Sequence, residues 1–555
     1  MAPTRNRKVE VLHVISRFAI LVLAIVSVVL VQTTKAVHRS AQNIGASAQR
    51  TALPQNSLVR FANAGSYYSG GTMTASLAIA DVNGDAMPDV VVANTGSNSV
   101  GVLLGNSGGT FQPAITFSSG GSGPTSVAVS DLNGDGRPDV VVGNRCPSSG
   151  DCTNGIVSVL LGEGDGTFRA PVNYGTGGWN FTFTVAIVDL NVDGKPDLVV
   201  SNNFTLGGWP IGSVSVLLGN GDGTFQPAVN YNSGGSIALS VAAGDLNGDG
   251  KPDLVVVDSG SPVSVLLGKG DGTFHTPVTY PAGCRDPYSV AIGDVNGDGK
   301  PDVVLTNDFA DAPWWQRGSV SVLLGNGDGS LQAPITYDSG GFGATSIAIA
   351  DVNGDGHPDL LVANYTVSNW QGNAPGLVSV LPGNGDGTFQ VAVNYPSGGL
   401  RAFSVAVVDV NADRKPDLVV TNEYNYSYPR FGTMSVLLNN LTIPTTTALT
   451  SSPNPSFLNQ LVSFTATITS TRPIPDGQVV TFYDGTTAIA SRPTVGGAAN
   501  FSTSFLSAAT HGIRAAYPGD LFHVASSRWL SQVVDGYPTS TTFNSSLNPS
   551  IYGQK

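Results

Sequence analysis

The sequence has few of the residues on which most metal, nucleotide and redox sites depend. Only 12% of its 555 residues are charged, and it contains three cysteines and six scattered histidines. Three cysteines are too few for the disulfide framework of a small secreted domain. The sequence also lacks an H-E-x-x-H pattern, a phosphate-binding P-loop and a cysteine-rich metal pattern. These absences leave the common enzyme classes without a supporting motif.

Basic residues are also scarce, with 26 against 39 acidic ones and a formal net charge of −13. Nucleic-acid binding calls for a basic stripe, so we expect no nucleic-acid partner. Long helical periodicity is missing outside the N-terminal region. What the chain does have is 69 glycines and 41% hydrophobic residues, which is enough for a packed core. This composition favours short strands joined by tight turns.

The N-terminal region is the one long apolar stretch. Basic residues near the start precede the apolar run 18–31, and Thr34 and Ala36 form a plausible cleavage site. The run suits the core of a signal peptide and is short for a membrane span. We therefore predict a signal peptide over 1–36, with an uncleaved N-terminal anchor as the alternative, and a linker over 37–55. Either reading places the rest of the chain outside the cytoplasm.

Two of the cysteines lie close together. Cys146 and Cys152 in CPSSGDC could close a small loop in an oxidising compartment, which leaves Cys284 over. Three unpaired thiols are the alternative.

An acidic nonapeptide occurs seven times, at intervals of 49 to 58 residues. In the second unit the strand-like SVAVSD precedes it, and DVVVGN, VSVLLG and FRAPVNY follow, the last after the turn EGDGT. Glycine and aspartate in that turn accept the positive φ of a tight hairpin. Four short strands in a repeat of this length are typical of a propeller blade.

The last unit stops before its fourth strand, and the missing strand is found near the start of the chain. Phe61 and Tyr67 are six residues apart and precede Gly-Gly, as do Phe225 and Tyr231 in a complete unit. The N-terminal segment can therefore supply the outer strand of the last blade and close the ring. The sequence predicts a seven-bladed β-propeller over 56–441.

The nonapeptide D-x-N-x-D-G-x-P-D has the chemistry of a calcium loop. Its positions 1, 3, 5 and 9 offer side-chain oxygens, which are the hard donors that Ca²⁺ prefers. Glycine at position 6 permits the sharp bend, and proline at position 8 stiffens the exit. The loop is not an EF-hand, because position 12 of the second unit is Val142, inside a strand, where an EF-hand has glutamate. Good turn formation by Asp, Asn and Gly is the alternative explanation.

The motif DLNGDGRPDVVV with a downstream LLGNGDGTF resembles the FG-GAP/VCBS repeat, the blade of integrin α-subunit propellers and of many bacterial secreted proteins. The resemblance implies structural Ca²⁺ at up to seven sites, each also using the carbonyl of position 7, such as that of Arg137. We expect the weakest sites in units one and seven, where Ala86 and Arg414 replace the position-6 glycine. The implied side-chain ligands are Asp81, Asn83, Asp85, Asp89, Asp131, Asn133, Asp135, Asp139, Asp189, Asn191, Asp193, Asp197, Asp245, Asn247, Asp249, Asp253, Asp294, Asn296, Asp298, Asp302, Asp351, Asn353, Asp355, Asp359, Asp409, Asn411, Asp413 and Asp417.

The loops on the opposite face of the ring vary and carry tryptophan. Trp209, Trp314, Trp315 and Trp370 lie between the second and third strands of their units, and Trp179 lies in a connection on the same face. Aromatic side chains on loops of a rigid scaffold are common binding groups for sugars and proteins. We predict an extracellular glycan or protein ligand here. Packing of these rings under their own loops is the alternative.

Signals for catalysis are weak. The G-x-S-x-G match around Ser107 aligns with a hairpin turn of another unit, so it is not a nucleophile elbow. A secreted carbohydrate-active lyase or hydrolase is the alternative function, with Asp308, Asp311 and Glu423 as the candidate carboxylates near the tryptophan-rich face. We expect turn formation from the acids between the third and fourth strands, Asp165, Asp222, Asp271, Asp328 and Asp386.

After the repeats the pattern changes to alternating strands such as LVSFTATITS and GQVVTFYDG. Residues 443–535 resemble a bacterial Ig-like domain, a β-sandwich without an inter-sheet disulfide. Residues 536–555 repeat its beginning and are expected to start a second, incomplete copy. Together these features predict an all-β exported protein, secreted or at the cell surface, that acts in binding or adhesion. Membrane attachment is expected only if the N-terminal segment stays uncleaved.

Overall fold

A computed structural model of the chain describes residues 60–544 except 148–151, 153, 179–181, 207–208, 261, 284–285, 308–317, 367–373 and 426–430. Within these residues the regular structure is all β-strand. Short runs of Val, Leu and Ile suit a pleated, half-buried surface, and glycine-rich turns end each run. The predicted all-β fold class is confirmed.

Seven four-stranded antiparallel units follow one another, and we call them blades 1 to 7, with strands a to d in chain order. The chain enters through β1 (Phe61–Tyr68). Blade 1 contains β2 (Thr74–Ala80), β3 (Asp89–Asn94), β4 (Ser99–Leu103) and β7 (Ile115–Ser118), with β5 (Gly105–Asn106) and β6 (Thr110–Phe111) as a small hairpin before β7. Blade 2 contains β8 (Gly121–Ser130), β9 (Asp139–Pro147), β10 (Ile156–Leu160) and β11 (Val172–Gly175). Blade 3 contains β12 (Val185–Val188), β13 (Asp197–Leu206), β14 (Trp209–Leu217) and β15 (Val229–Asn232).

Blade 4 contains β16 (Ala238–Gly244), β17 (Asp253–Asp258), β18 (Val263–Leu266) and β19 (Val278–Tyr280). Blade 5 contains β20 (Pro287–Gly293), β21 (Asp302–Asn307), β22 (Ser319–Leu323) and β23 (Ile335–Asp338). Blade 6 contains β24 (Phe342–Ala350), β25 (Asp359–Thr366), β26 (Pro375–Leu381) and the first part of β27 (Val393–Val408). The second part of β27 begins blade 7, which continues with β28 (Asp417–Tyr424) and β29 (Thr433–Asn439).

The fourth strand of blade 7 is β1, as the sequence predicts. It pairs antiparallel with β29, from Phe61 opposite Asn439 to Tyr68 opposite Thr433. The aromatic pairs repeat the pattern of the other blades. The ring of Tyr67 meets Phe111 of blade 1 edge to face at 5.5 Å, as Tyr174 meets Phe225 two blades on.

The core of the ring lies between the blades. Each pair of neighbouring blades shares a buried cluster of aliphatic side chains, and this includes blade 7 with blade 1. In that last cluster Val90 and Leu103 pack with Val419 and Met434, and all four are buried. Because the first and last blades pack like any other pair, the seven blades form a closed ring.

The C-terminal part is a two-sheet sandwich. One sheet contains β30 (Thr445–Ser452), β32 (Val462–Ser470) and β35 (Ala498–Thr503). The other contains β31 (Ser456–Phe457), β37 (Ser526–Asp535), β36 (Thr510–Tyr517), β33 (Val479–Asp484) and β34 (Thr487–Pro493). Phe464, Phe482 and Tyr517 are fully buried between the sheets. Alternation of inward apolar and outward polar side chains, as in β32, produces this core.

Blade 2 carries the one disulfide among the described residues, between Cys146 and Cys152. Of the two alternatives that the sequence left open for this pair, bridge formation is the one in the structure. Cys284 lies outside the described residues.

Candidate metal centres

Each acidic nonapeptide connects strands a and b of its blade, and its first aspartate organises the loop. In blade 2, Asp131 Oδ1 accepts a hydrogen bond from Gly134 N at 2.8 Å and Asp131 Oδ2 accepts one from Gly136 N at 2.8 Å. Asp135 Oδ1 accepts a further bond from Arg137 N at 2.9 Å. The same bonds recur in blades 4 and 5. The carboxylates therefore hold the loop backbone in a fixed curve.

The asparagine at position 3 is tied to the acid at position 5. Asn133 Oδ1 accepts a bond from Asp135 N at 2.9 Å, and Asn133 Nδ2 donates to Asp135 Oδ2 at 3.2 Å. An amide oxygen carries two lone pairs, so this oxygen can accept a second interaction. The predicted donors of positions 1, 3 and 5 thus belong to one small loop.

The aspartate at position 9 has a second role that the sequence analysis missed. Asp139 is fully buried at the start of strand b. Its Oδ2 accepts a bond from Leu132 N at 2.9 Å, and its Oδ1 accepts one from Gly162 N at 2.7 Å. It therefore joins the acidic loop to the end of strand c. Repetition of the motif in the sequence could not distinguish this role from metal binding.

Burial raises the pKa of every position-9 aspartate, and the acids at positions 5 and 1 of the same loop raise it further. The pKa reaches about 6 at Asp89 and Asp417 and about 7 at Asp359. Hydrogen bonds from backbone amides act in the opposite direction. A cation among these acids would favour their charged forms.

In six blades a glycine donates its backbone N–H to the position-9 aspartate, and its surroundings leave no room for a side chain. A Cβ atom at Gly219 would lie 2.2 Å from the carbonyl oxygen of Pro196, the position-8 proline of the same blade. Blades 1, 2, 4, 5 and 6 have the same close approach, at 2.1 to 2.3 Å. In blade 7 the residue that donates to Asp417 is Asn439.

The two loops without a position-6 glycine still adopt the left-handed conformation there. Ala86 has a φ of 64° and Arg414 a φ of 66°. Val192 and Ala412, each at position 4 of its loop, are left-handed as well, at 57° and 60°. A side chain in this region costs on the order of 1 kcal/mol. The strain that we expected at positions 86 and 414 therefore has its geometric basis, while the affinities of those loops stay a prediction.

The acids of blade 7 come close together. One carboxylate oxygen from each of Asp409, Asp413 and Asp417 lies within 4.8 Å of the others. Three carboxylates at this separation repel one another, and Ca²⁺ takes six to eight oxygen ligands of this kind. The donor set therefore fits Ca²⁺, and the side chains at positions 1, 3, 5 and 9 are the ones that would hold it.

The acids of the c–d turns are turn formers, as predicted. In blade 3, Asp222 Oδ1 accepts bonds from Thr224 N at 2.9 Å and Thr224 Oγ1 at 2.5 Å. This hydrogen bonding lowers the pKa of Asp222. The same pattern occurs at Asp165, Asp271, Asp328 and Asp386. Ser107 likewise lies in the turn between β5 and β6, which supports the assignment of a hairpin rather than a nucleophile elbow.

The face opposite the acidic loops is described only in part. Trp179, Trp314, Trp315 and Trp370 lie outside the described residues, and Trp209 begins β14, where its backbone pairs with Leu206. The gathering of these tryptophans at one face stays a prediction.

Of the three carboxylates proposed for catalysis on that face, Asp308 and Asp311 lie outside the described residues. Glu423 is buried, and its Oε2 accepts bonds from Tyr365 Oη at 2.7 Å and Arg401 Nη1 at 3.0 Å. The Arg401 guanidinium also lies 5.2 Å from the Tyr365 ring centroid. Glu423 is therefore part of a packed ion pair.

Two aromatic rings from different blades meet near this face. Tyr288 of blade 5 and Phe403 of blade 7 meet edge to face at 6.1 Å, although blade 6 separates their blades. Non-adjacent blades can meet only across the middle of the ring. Both residues lie near the start of strand a, at the end of the blade away from the acidic loops. An aromatic pair therefore lies near the middle of the ring of blades, on the predicted ligand face.

Comparisons with known families agree with the repeat and with the sandwich. A family model for the FG-GAP-like repeat matches residues 59–142, 204–256, 245–305 and 308–362. A model for the bacterial Ig-like domain (group 3) matches residues 449–535. Such modules are typically non-catalytic.

No curated protein shows a significant match to the chain. Within the described residues, no helix is long and apolar enough to cross a membrane. The chain therefore contains FG-GAP-like repeats, which build its β-propeller, and a C-terminal bacterial Ig-like domain.

Proposed function

We propose that the chain is an exported calcium-binding propeller that acts as a binding or adhesion module for a glycan or protein ligand. The observation that carries the calcium part is the acidic loop itself. It recurs in every blade, its backbone is already curved by hydrogen bonds to Asp131 and its equivalents, and three carboxylates converge within 4.8 Å in blade 7. A loop that is formed before the ion arrives loses little conformational entropy on binding.

Calcium has a structural role in this proposal. An ion that binds the folded loop and not the unfolded chain stabilises the fold by mass action, by about 2.7 kcal/mol per site at a hundredfold excess over Kd. Chelation with EDTA should therefore lower the melting temperature, and added calcium should restore it. Magnesium at the same concentration is the control, because it needs near-ideal octahedral geometry and keeps its water ligands. An unchanged melting temperature in EDTA would contradict the structural role.

The ligand part rests on the chemistry of the opposite face. Tyr288 and Phe403 pack edge to face there, and the Arg401 guanidinium lies over the rings of Tyr365 and Tyr424. Aromatic faces and guanidinium groups are the groups that proteins use to hold sugars and partner proteins. The enzyme alternative would need a pair of available carboxylates. Its described candidate, Glu423, is already bonded to Arg401 and Tyr365, so this evidence favours binding over catalysis.

Glycan-array screening tests the ligand. We expect Tyr288→Ala and the double change of Trp314 and Trp315 to alanine to weaken any glycan signal of the wild type. Trp529→Ala is the matched control, since this tryptophan is 54% exposed on strand β37 of the Ig-like domain. Equal loss with the control variant would place the ligand on the Ig-like domain instead.

A further inference from the structure

The Ig-like domain contacts one acidic loop of the propeller, that of blade 6. Arg472, between β32 and β33, donates from Nη1 to Asn353 Oδ1 at 2.7 Å and also to the Asn353 carbonyl oxygen. Asn353 is the position-3 asparagine of that loop, and its exposed fraction is 0%. Its equivalent Asn133 in blade 2 is partly exposed. The contact therefore covers a predicted metal ligand.

A phenylalanine of the same domain covers the next residue. Phe522, between β36 and β37, lies over Gly354, where an added Cβ would be 2.1 Å from its ring Cδ2. At the equivalent glycines of blades 1, 2, 4 and 5 an added Cβ would meet nothing within 4 Å. The backbone of Ile443, which follows the propeller, donates to Phe522 O at 2.7 Å and accepts from Val524 N at 2.9 Å. These bonds fix the phenylalanine relative to the end of the ring.

The contact occupies the lone pair of Asn353 Oδ1 that a metal ion would need. Its Oδ1 accepts one bond from Asp355 N at 2.9 Å and one from Arg472 Nη1, which fills both lone pairs of an amide oxygen. Its Nδ2 donates to Asp359 Oδ1 at 2.9 Å, whereas Asn133 Nδ2 in blade 2 donates to the position-5 acid. The blade 6 loop thus differs from the blade 2 loop at the residue that the Ig-like domain touches.

We propose that Arg472 and a calcium ion compete for the blade 6 loop, so that calcium there releases the Ig-like domain from the propeller. A calcium ion bound to Asn353 Oδ1 would sit within about 2.6 Å of that oxygen and would displace the guanidinium, which carries charge of the same sign. Linkage is reciprocal, so a docked domain weakens calcium binding by the factor by which calcium weakens docking. This inference rests on the proposed calcium binding of the loops.

Two variants of the chain separate the effect of the Arg472 charge from the effect of the Phe522 contact. Arg472→Gln removes the competing charge, and Gly354→Ala blocks the approach of Phe522 while keeping every calcium donor. Arg492→Gln is the control for the first, because Arg492 is exposed and lies over the Phe501 ring within the Ig-like domain. Gly134→Ala is the control for the second, because its φ of 74° matches the 75° of Gly354 and its surroundings are open.

Calcium titration by calorimetry and the radius of gyration from small-angle X-ray scattering are the two measurements. Wild type should be compact without calcium and expand as the last site fills. Arg472→Gln and Gly354→Ala should be expanded from the start. Arg472→Gln should bind calcium at one site roughly tenfold more tightly than wild type, whereas in Gly354→Ala the strain of a left-handed alanine offsets part of this gain. Arg492→Gln should behave like wild type, and Gly134→Ala should keep the wild-type dependence of the radius on calcium while its strain weakens only the blade 2 site.

The outcomes separate this inference from the proposed function. Calcium binding that is the same in wild type and in both test variants overturns the competition and leaves calcium at the other loops intact. A wild-type radius that does not change while every site fills also overturns it. Failure of all five proteins to bind calcium overturns the proposed calcium role and this inference with it.

Discussion

Blade 4 differs from the other six blades in the residue type at the sixth position of strand b. Six blades have asparagine there: Asn94, Asn144, Asn202, Asn307, Asn364 and Asn422. In blade 6, Asn364 Nδ2 donates to Ser379 Oγ of strand c at 2.8 Å and to the Ser339 carbonyl at 3.2 Å. The asparagine thereby connects strand b to strand c and to the segment that leads into strand a of its own blade.

Asp258 takes this place in blade 4 and cannot donate when ionised. Its Oδ1 accepts a bond from Ser233 Oγ at 2.6 Å. Among the described residues, its Oδ2 and the Ser264 Oγ of strand c are both buried without a hydrogen-bond partner. A neutral acid, or an amide, would supply the missing donor. We therefore predict that Asp258→Asn stabilises the propeller at neutral pH.

The size of the effect follows from the pKa. Burial raises the pKa of Asp258 to about 6, although the Ser233 bond acts in the opposite direction. A free aspartate has a pKa near 3.9, and a pKa difference of one corresponds to about 1.4 kcal/mol, so ionising this buried acid costs about 3 kcal/mol. A new hydrogen bond to Ser264 adds about 1 kcal/mol. We expect a gain of about 2–4 kcal/mol in the free energy of unfolding of the propeller at pH 7.5.

The pH dependence has a definite sign. Between about pH 4 and 6 the folded chain holds a proton on Asp258 that the unfolded chain has lost, so stability from this group falls as the pH rises through that window. The advantage of Asp258→Asn should be small at about pH 4, grow up to about pH 6 and then stay constant. The position-9 aspartates titrate in both proteins and cancel in the difference.

Urea unfolding of both proteins at about pH 4.5 and 7.5, each at a fixed calcium concentration, measures the difference. The reciprocal variant Asn364→Asp should lose a comparable amount at the higher pH, because it puts an acid where Asn364 donates two bonds. A gain from Asp258→Asn that is equal at both pH values, or that is absent at the higher one, would refute the reasoning.

Three further predictions concern the loops and the ring. Asp135→Asn should reduce the calcium bound per chain by about one ion in equilibrium dialysis, whereas Asp222→Asn, in a c–d turn, should leave it unchanged; equal loss would show that the acids act only through net charge. Gly219→Ala should destabilise the propeller by about 1–3 kcal/mol in urea unfolding, because its methyl group would meet a proline carbonyl, whereas Gly175→Ala, with nothing within 4 Å, should have little effect. Removal of residues 61–68 should leave the edge of β29 unpaired and promote self-association on size-exclusion chromatography, whereas a deletion that stops before this segment should not; a monomeric first variant would contradict the role of β1.

Much of the fold could be predicted from the sequence because the motif of one blade occurs seven times. The spacing of the acidic loops predicted seven blades, and the match between Phe61–Tyr67 and Phe225–Tyr231 predicted the pairing of β1 with β29. A repeat remains recognisable when one copy differs at a single position, as the first copy does with alanine at position 86. A contact that occurs only once cannot be recognised in this way. The contact of Arg472 with Asn353 is of this kind, because neither sequence segment contains a repeated pattern that indicates it.

The candidate site was predicted in its chemistry but not in all of its hydrogen bonds. The residue types at positions 1, 3, 5 and 9 indicated oxygen donors, whereas their individual hydrogen bonds depend on the curve of the loop. The buried position of Asp139 follows from the strand that it begins, and its bond to Gly162 joins residues 23 apart in the chain. The signal that could have revealed this bond is the glycine that follows strand c in six of the seven units.

The hydrogen bonds of the position-9 aspartate limit the effect that the proposed calcium can have on this fold. Asp139 satisfies two buried backbone amides with or without an ion, so the loop and the end of strand c stay joined when calcium is removed. The inter-blade cores, which contain no loop carboxylate, also persist. Chelation should therefore lower the melting temperature without abolishing the β-sheet circular dichroism at room temperature. In a protein built this way the proposed calcium would stabilise a ring that is already closed and would not create it.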